Sequence, residues 1–338
     1  MRSPLNKRLF RELRGEFGKY LVIFILMTLT IGMVSGFLVA DGSMIQAYEE
    51  SFEKYNIENG HFRTEKKMNN AQIQDIEHLG IKLYENYYVE EALTNGSTMR
   101  IFKNRDEVNK VCLMKGKMPE KPGEIGIDRM YADNNDLSVG DEIESGGHTW
   151  KITGLVALSD YSALFSNNND SMFDSVKFGV SVVCPEEFDS YKTDQLNYSY
   201  AWKYNTEPKN EKAEKDISED LMEDVAKEVT LEEFVPRYTN QAIIFTGDDM
   251  GGDRSMMIVL LYIIIVIMAF VFAITTSNTI RKEANVIGTL RASGYTRGEL
   301  IRHYMAAPVF VTFIGAIIGN IIGYTVGKDY CAGIYYGS

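Results

Sequence analysis

The sequence predicts a membrane α-helical protein with three transmembrane helices and an extracellular α+β domain between the first and the second. Three long stretches contain no charged residue: 20–40, 255–280 and 304–327, which are 21, 26 and 24 residues long. An α-helix rises about 1.5 Å per residue, so each stretch can cross the hydrocarbon layer of about 30 Å. The segment between the first two, residues 41–254, is long enough to form a folded domain.

The first apolar stretch is interpreted as a membrane anchor. The alternative is a secretory signal peptide, whose apolar core is about 7–15 residues long and precedes a small-x-small cleavage site. Residues 20–40 are longer than such a core, and Leu38-Val39-Ala40 has a large residue at the outer position of the cleavage pattern. Both observations favour the anchor.

The distribution of charge predicts the orientation of the chain. Residues 1–19 contain six Lys/Arg and two Glu, and residues 281–303 contain five Lys/Arg and two Glu, whereas residues 41–253 contain 22 basic and 42 acidic residues. Short basic segments beside membrane spans stay in the cytoplasm, while long domains cross regardless of charge. We therefore expect a multi-pass protein of the cell membrane with 1–19 and 281–303 inside, 41–254 outside, and 328–338 as an outer tail.

Residues 1–19 are predicted to form a cytoplasmic amphipathic helix on the inner surface of the lipid bilayer. Ser3-Pro4 is a plausible helix start, and apolar residues then recur every four positions at Leu5, Leu9, Leu13 and Phe17. Basic residues fill the other faces, as in helices that lie on anionic membrane surfaces. A generic basic flank of the first span is the simpler interpretation, and both can hold.

Several elements of the outer domain can be predicted from apolar periodicity. The first transmembrane helix is expected to continue outward through the stripe at residues 45–55, and residues 209–229 form a charged helix with one apolar face. Strands are expected at 83–93, 98–103 and 124–128, with a hairpin whose turn is 145–148. The segment 115–156 suits a small barrel-like subdomain. Residues 166–170 and 246–253 are interpreted as loops.

The cysteines leave one alternative open. Cys112 and Cys184 lie in the outer domain and could form a disulfide, or they could be two free, small apolar residues. Two cysteines do not define a disulfide framework, and a domain of this size does not need one to fold.

The sequence lacks the common motifs of enzymes and metal sites. It has no G-x-x-x-x-G-K-[ST] phosphate loop, no H-E-x-x-H and no C-x-x-C, and its four histidines are far apart. No catalytic, cofactor-binding or metal-binding residue is therefore predicted, and the chain is not expected to be an enzyme. The uncharged spans argue against an ion-coupled carrier. The basic segments are short and adjacent to the membrane, so nucleic acid is not expected as a partner.

Glycines in the spans predict close helix packing. Gly315, Gly319, Gly323 and Gly327 are each four residues apart, and the first span contains Gly32 and Gly36. Glycine has no side chain, so a second helix can approach closely along such a face. The alternative is the general abundance of glycine in membrane helices.

Between the second and third spans, residues 281–303 are predicted to form a rigid helix–turn–helix segment, here called the elbow. Apolar residues continue the helical spacing to Leu290, Gly294 suits a left-handed helix end, and Thr296–Glu299 matches a capping box. Its exposed side chains are expected to be Arg281, Lys282, Glu283, Arg291 and Arg297. Such an elbow could dock a partner, or it could be a solvated linker that contacts only lipid headgroups.

The elbow resembles the R-x-E…I-G-x-L-R-A-x-G pattern that follows the second span in the FtsX-like, MacB-type permeases. The matching residues here are Arg281, Glu283, Ile287, Gly288, Leu290, Arg291, Ala292 and Gly294. The segment 115–156 is similar to the outer core domain of the same group, and the order of parts agrees over nearly the whole chain. The family has a fourth span after the third, which is not found here. The sequence therefore resembles the first half of a longer permease, and the alternative is a fragment that lacks the fourth span.

The resemblance implies the permease subunit of an ABC transporter. Its partners would be a separate cytoplasmic ATPase, which would bind the ATP, and a second permease half or a second copy of the chain. The elbow would be the ATPase-coupling surface, through Arg281, Lys282, Glu283, Ile287, Gly288, Leu290, Arg291, Gly294 and Arg297. ATP hydrolysis would move the outer domain, which exports or extracts a peptide, lipid or lipoprotein. The alternative is a transmitter that controls an extracellular hydrolase or a sensor kinase without transport.

Overall fold

A computed structural model describes residues 11, 14–145 and 147–336. Most of the predicted amphipathic helix over residues 1–19, including Ser3-Pro4, lies outside the described residues, as does Gly146 of the predicted hairpin turn. The chain divides into an outer unit, residues 47–248, and a membrane unit formed by the described residues of 1–46 and 249–338.

The membrane unit is built from long apolar helices. Helix α1 is Phe17–Lys54, α6 is Gln241–Lys282, and α8 is Arg297–Ile322, which continues through a π-helical turn at Gly323–Gly327 into α9, Lys328–Tyr336. Within the described residues, three helices are long and apolar enough to cross a membrane. Helices α1 and α6 contain 38 and 42 residues. At 1.5 Å per residue they are about 57 and 63 Å long, well beyond the hydrocarbon thickness.

One sheet of the outer unit has four antiparallel strands. These are β1 (Gly60–Thr64), β2 (Ile81–Glu85), β10 (Tyr198–Tyr204) and β11 (Leu231–Pro236), in the spatial order β11-β1-β10-β2. Strand β1 alternates buried and half-buried residues, because one face of the pleat packs on the core.

The second sheet is mixed. Its strands are β3 (Tyr88–Ala92), β4 (Thr98–Lys103), β5 (Val111–Gly116), β6 (Glu124–Asp128), β7 (Glu142–Ser145), β8 (His148–Leu158) and β9 (Phe178–Val183). The order is β3-β4-β9-β6-β8-β5, with β7 paired to β8. The pairs β4–β9 and β6–β8 are parallel and the others antiparallel. Strand β9 is buried along its whole length, as expected for a central strand.

Short helices complete the outer unit: α2 (Asn70–Glu77), α3 (Arg129–Asn134), α4 (Pro185–Phe188) and α5 (Glu211–Glu228). Side-chain caps explain where three of them begin. Asn69 forms a capping box with Gln72 before α2, Asp128 accepts from the amides of Met130 and Tyr131, and Asn210 accepts from Ala213. The predicted helix at 209–229 and the strand at 124–128 are confirmed.

The core of the outer unit is made from large aromatic and branched side chains. Trp202 is fully buried and stacks on Phe234 at 4.8 Å between ring centroids, while Phe62 stacks on Tyr200 at 5.6 Å. Buried residues of both sheets belong to one continuous cluster. The fold class is therefore confirmed: three candidate membrane helices, with a mixed α+β domain between the first and the second.

Two expectations about the outer domain were wrong. Residues 246–253 are not a loop but part of α6, and the segment 115–156 does not form a separate barrel. In the first case no proline interrupts the helix, and the three glycines of the segment lower its stability by only about 1 kcal/mol each. In the second, β9 from outside the segment pairs with β6 and joins these strands to a larger open sheet. The thiols of Cys112 and Cys184 are both free.

Candidate coupling site

The elbow contains helix α7, Ala284–Ala292, between α6 and α8. Helical hydrogen bonding continues across the junction, because the amide of Ile287 donates to the carbonyl oxygen of Glu283 at 2.9 Å. After α7, Gly294 has a φ of +97°, and the Tyr295 amide donates to the Leu290 carbonyl at 3.2 Å. This bond and the positive φ match the Schellman helix end that Gly294 predicts.

The start of α8 is fixed by the predicted capping box. The amide of Thr296 donates to the Glu299 carboxylate at 2.8 Å, and the amide of Glu299 donates to the Thr296 hydroxyl at 3.3 Å. Two amides of the first helical turn therefore have side-chain partners. Both ends of the turn at 293–296 are defined, and the elbow has a specified geometry.

The elbow exposes a group of cationic side chains. Arg281, Lys282, Arg291 and Arg297 are all exposed. They lie at the end of α6, on α7 and at the start of α8, so the backbone of these helices sets the relative positions of their Cα atoms. Four fixed positive charges can dock an acidic protein surface and can also steer its approach.

Glu283 does not lie with these exposed side chains. It is half-buried, and its carboxylate accepts a hydrogen bond of 2.5 Å from the hydroxyl of Tyr304. The bond joins the end of α6 to the first turns of α8. The sequence pattern groups Glu283 with the basic residues, whereas its contacts are those of a residue that positions the elbow.

The remaining motif residues differ in their environment. Ile287 and Leu290 are half-buried, as expected for the inner face of α7. Gly288 is exposed, and a methyl group placed on it would meet nothing within 4 Å. Packing among the described residues does not explain the glycine at this position.

A polar cavity of about 310 Å³ lies beside the base of the elbow. Its wall includes Lys19, Thr279, Glu283, His303 and Tyr304. The ammonium group of Lys19 donates to the Thr279 hydroxyl at 2.7 Å, which joins the start of α1 to the end of α6. Lys19, Thr279 and Tyr304 were not predicted as site residues from the sequence. Their position as polar residues at the edges of the apolar spans could have indicated them.

Helices α1 and α8 meet through their glycines, and the described contacts are short. A methyl group on Gly36 would lie 2.7 Å from the carbonyl carbon of Gly327, and one on Gly323 would lie 2.6 Å from the Gly32 carbonyl oxygen. A methyl group on Gly319 would lie 2.9 Å from the Thr28 carbonyl oxygen. No other residue has a side chain small enough for these distances. Gly315, whose carbonyl accepts from the Thr28 hydroxyl at 3.4 Å, extends the same contact.

Residues 258–334 match the family model described as FtsX-like permease C-terminal. This part of the chain is similar to the FtsX-like permeases. The match covers the second and third apolar helices and the elbow between them, so it confirms the resemblance at the residues where the sequence pattern was strongest. The matched residues include parts of two of the three helices that are long and apolar enough to cross a membrane.

Two solved structures are similar to part of the chain. One is the periplasmic region of MacB from Actinobacillus actinomycetemcomitans, with 10% identity, a TM-score of 0.29, and coverage of 51% of this chain and 86% of that one. The other is the extracellular domain of the noncanonic ABC-type transporter YknZ from Gram-positive bacteria, with 10% identity, a TM-score of 0.26, and coverage of 51% and 100%. No curated protein matches the chain.

Proposed function

We propose that the chain is the permease subunit of an ABC transporter and that the elbow docks a separate cytoplasmic ATPase. The observation that carries the proposal is the group of exposed cationic side chains on a backbone capped at both ends of its turn. A flexible linker would need neither the left-handed Gly294 nor the capping box. The FtsX-like match over 258–334 supports the same assignment.

The docked ATPase would move the elbow when ATP closes its subunits. The elbow is continuous with α8, and α8 packs on α1 through the glycine contact, so a displacement at the elbow reaches α1. Close-packed helices transmit displacement well, because their backbones have no intervening flexible side chains. Helices α1 and α6 are both longer than the membrane requires, and they would carry the movement toward the outer domain.

The test is co-purification of the full chain, in detergent or lipid nanodiscs, with the ATPase encoded beside it. It is run with and without a non-hydrolysable ATP analogue. Arg291→Glu reverses a fixed exposed charge, and we expect at least a tenfold loss of ATPase binding, since like charges at an interface cost several kcal/mol. Lys212→Glu, an exposed position of α5, is the matched charge reversal in the outer domain and should bind as the parent chain does.

Equal binding by the parent and by Arg291→Glu would reject the elbow as the docking surface. A second copy of the chain or a second permease half is the expected membrane partner, and cross-linking in nanodiscs identifies it. The alternative function, a transmitter without transport, uses the same elbow. The two functions are distinguished by experiments on the outer domain. A stable protein partner of that domain, with no substrate transported, would favour the transmitter.

A further inference from the structure

The outer unit contains a small polar cavity lined by strands of both sheets. Its volume is about 180 Å³, and its wall includes His61 of β1, Glu233 of β11, Glu90 of β3 and Arg100 of β4. Loop residues, among them Asn240, close another side. One water occupies about 30 Å³ in the liquid, so the cavity can hold on the order of six waters or one molecule the size of an amino acid.

The acidic side chains in the wall already have cationic partners within the protein. The three pairs are Glu90 with Arg100, Asp160 with Arg105, and Glu233 with Arg63, at 2.6, 2.7 and 3.7 Å. Arg100 also donates to the Tyr161 hydroxyl at 2.7 Å and lies over the Tyr88 ring. The paired guanidinium partly neutralises each carboxylate and occupies some of its hydrogen-bond acceptor sites. The wall is therefore poorly suited to a cationic ligand.

Two buried asparagines leave their donors uncommitted. Asn86 is 6% exposed and Asn240 is 5% exposed, and both line the cavity. The carboxamide oxygen of Asn86 accepts from Arg105 at 2.8 Å, and that of Asn240 accepts from the Ala242 amide at 3.1 Å. Neither NH₂ group donates to another described residue. Each NH₂ group can therefore donate to a ligand that carries acceptor oxygens.

His61 lies in the same wall and is paired with a buried carboxylate. Its Nδ1 lies 2.6 Å from the carboxylate of Glu58, which is almost fully buried and also accepts from Asn109 at 2.6 Å. Burial alone would lower the pKa of His61, but the attraction and hydrogen bond of Glu58 outweigh it and raise that pKa above its ordinary value. With Nδ1 directed at Glu58, protonation places a donor on Nε2 as well.

We propose that this cavity binds a carboxylate group, carried by an amino-acid-sized molecule or by the carboxyl end of a peptide, through the NH₂ groups of Asn86 and Asn240 and the ring of His61. A carboxylate supplies several acceptor sites and the negative charge that the cavity's remaining donors favour. The site belongs to the outer unit alone and does not depend on ATPase docking.

The probe is N-acetylglycine, titrated into the full chain in lipid nanodiscs by isothermal calorimetry. Its matched control is N-acetylglycinamide, which differs only in the missing carboxylate. We expect saturable binding of N-acetylglycine with one site per chain and at least tenfold weaker binding of the amide. Triglycine separates the two sources: tighter binding than N-acetylglycine indicates a peptide end, and weaker binding indicates a free small molecule.

Asn86→Asp and Asn240→Asp test the assigned donors. Each variant keeps the oxygen that accepts the internal hydrogen bond and replaces the NH₂ group by a second, negatively charged oxygen. We expect each to weaken N-acetylglycine binding by at least tenfold. Asn69→Asp adds the same charge at the cap of α2, outside the cavity, and should bind as the parent does.

Three results would overturn the site. They are no binding of either carboxylate probe by the parent chain, equal binding of acid and amide, and unchanged binding by both cavity variants. The comparison of acid and amide uses the parent chain only, so it decides the proposal even where a variant fails to fold. ATPase co-purification is measured separately, and its failure leaves this result unaffected.

Discussion

In the outer unit, large side chains fill the space between backbones: Trp202 lies flat on Phe234, and neither Trp202 nor Trp150 reaches solvent. In the membrane unit, α1 touches the π-helical turn that follows α8 where there are no side chains, at Gly36 and Gly327. The solvent explains the difference. In water, burial of an apolar group is favourable, so large side chains stabilise the fold. Lipid is as apolar as leucine, so helices in a membrane are stabilised mainly by the close approach of their backbones.

The largest effect should come from deleting a core side chain of the outer unit. Trp202→Ala removes a fully buried indole and leaves a cavity against Phe234, which should lower the free energy of unfolding by about 3–5 kcal/mol. Denaturant titration of the full chain measures it, with Trp150, the other tryptophan of the sequence, as the fluorescent reporter. Ile217→Ala, at an exposed position of α5, should change the value by less than about 0.5 kcal/mol. Similar losses for both would contradict the core assignment.

In the membrane unit, adding a side chain at the glycine contact should be more damaging than removing one. Gly36→Ala adds a methyl group 2.7 Å from the Gly327 carbonyl carbon, so α1 and the π-helical turn after α8 must separate. We expect a loss of about 1–3 kcal/mol, the usual range for overpacking. The measurement is unfolding in mixed micelles of rising SDS fraction, followed by far-UV circular dichroism.

Gly42→Ala is the matched control on the same helix. A methyl group there would meet nothing within 4 Å. Since alanine favours a helix over glycine by about 1 kcal/mol, this variant should be neutral or more stable. If both glycine variants behave alike, the glycine contact does not hold the helices together.

The ion pair of Glu58 and His61 should make the stability of the outer unit depend on pH. Burial opposes both charges, yet His61 and the hydrogen bond from Asn109 lower the pKa of Glu58, while Glu58 raises the pKa of His61. The contribution of His61 is full below its unfolded pKa of about 6.5 and is lost as the pH rises through its raised folded pKa. The contribution of Glu58 is present above its unfolded pKa of about 4.3 and is lost as the pH falls through its lowered folded pKa.

The stability of the outer unit should therefore decline above pH 6.5, with a slope of at most about 1.4 kcal/mol per pH unit for one proton. His61→Gln should remove that decline. Denaturant midpoints at pH 6, 7, 8 and 9 measure it, with His78→Gln, an exposed histidine of the same unit, as the control. A decline that persists in His61→Gln would assign it to another group.

The smallest effect is expected at the base of the elbow. Tyr304→Phe removes the hydroxyl that donates to Glu283 and leaves every exposed basic residue in place. The loss in stability should be about 1 kcal/mol, because the acceptor is only half-buried. ATPase co-purification should fall less than for Arg291→Glu. A full loss of docking in Tyr304→Phe would mean that the hydroxyl itself belongs to the docking surface.

Local sequence signals predicted the parts of this molecule that local forces determine. The uncharged stretches, the positive φ at Gly294 and the capping box at Thr296 each depend on residues within a few positions of one another. The order of the seven-stranded sheet could not be read, because β9 pairs with β4 and β6 from distant parts of the chain. The proposed carboxylate-binding cavity could not be predicted for the same reason, since His61, Asn86 and Asn240 are far apart in sequence. Glu283 was misplaced because its partner Tyr304 lies beyond the turn.

Helix α8 contains Pro308 between the elbow and the glycine contact. Proline has no amide hydrogen, and the carbonyl it would have met four residues earlier is that of Tyr304, the residue that holds Glu283. The helix therefore lacks one backbone hydrogen bond shortly after the elbow, and it bends at this point at a lower energy than elsewhere. A displacement of the elbow can then tilt the N-terminal end of α8 while Gly319 and the following Gly323 keep their contacts with α1. Under the proposed coupling, the displacement of the elbow and that of the glycine contact need not be equal, because α8 can bend at Pro308 between them.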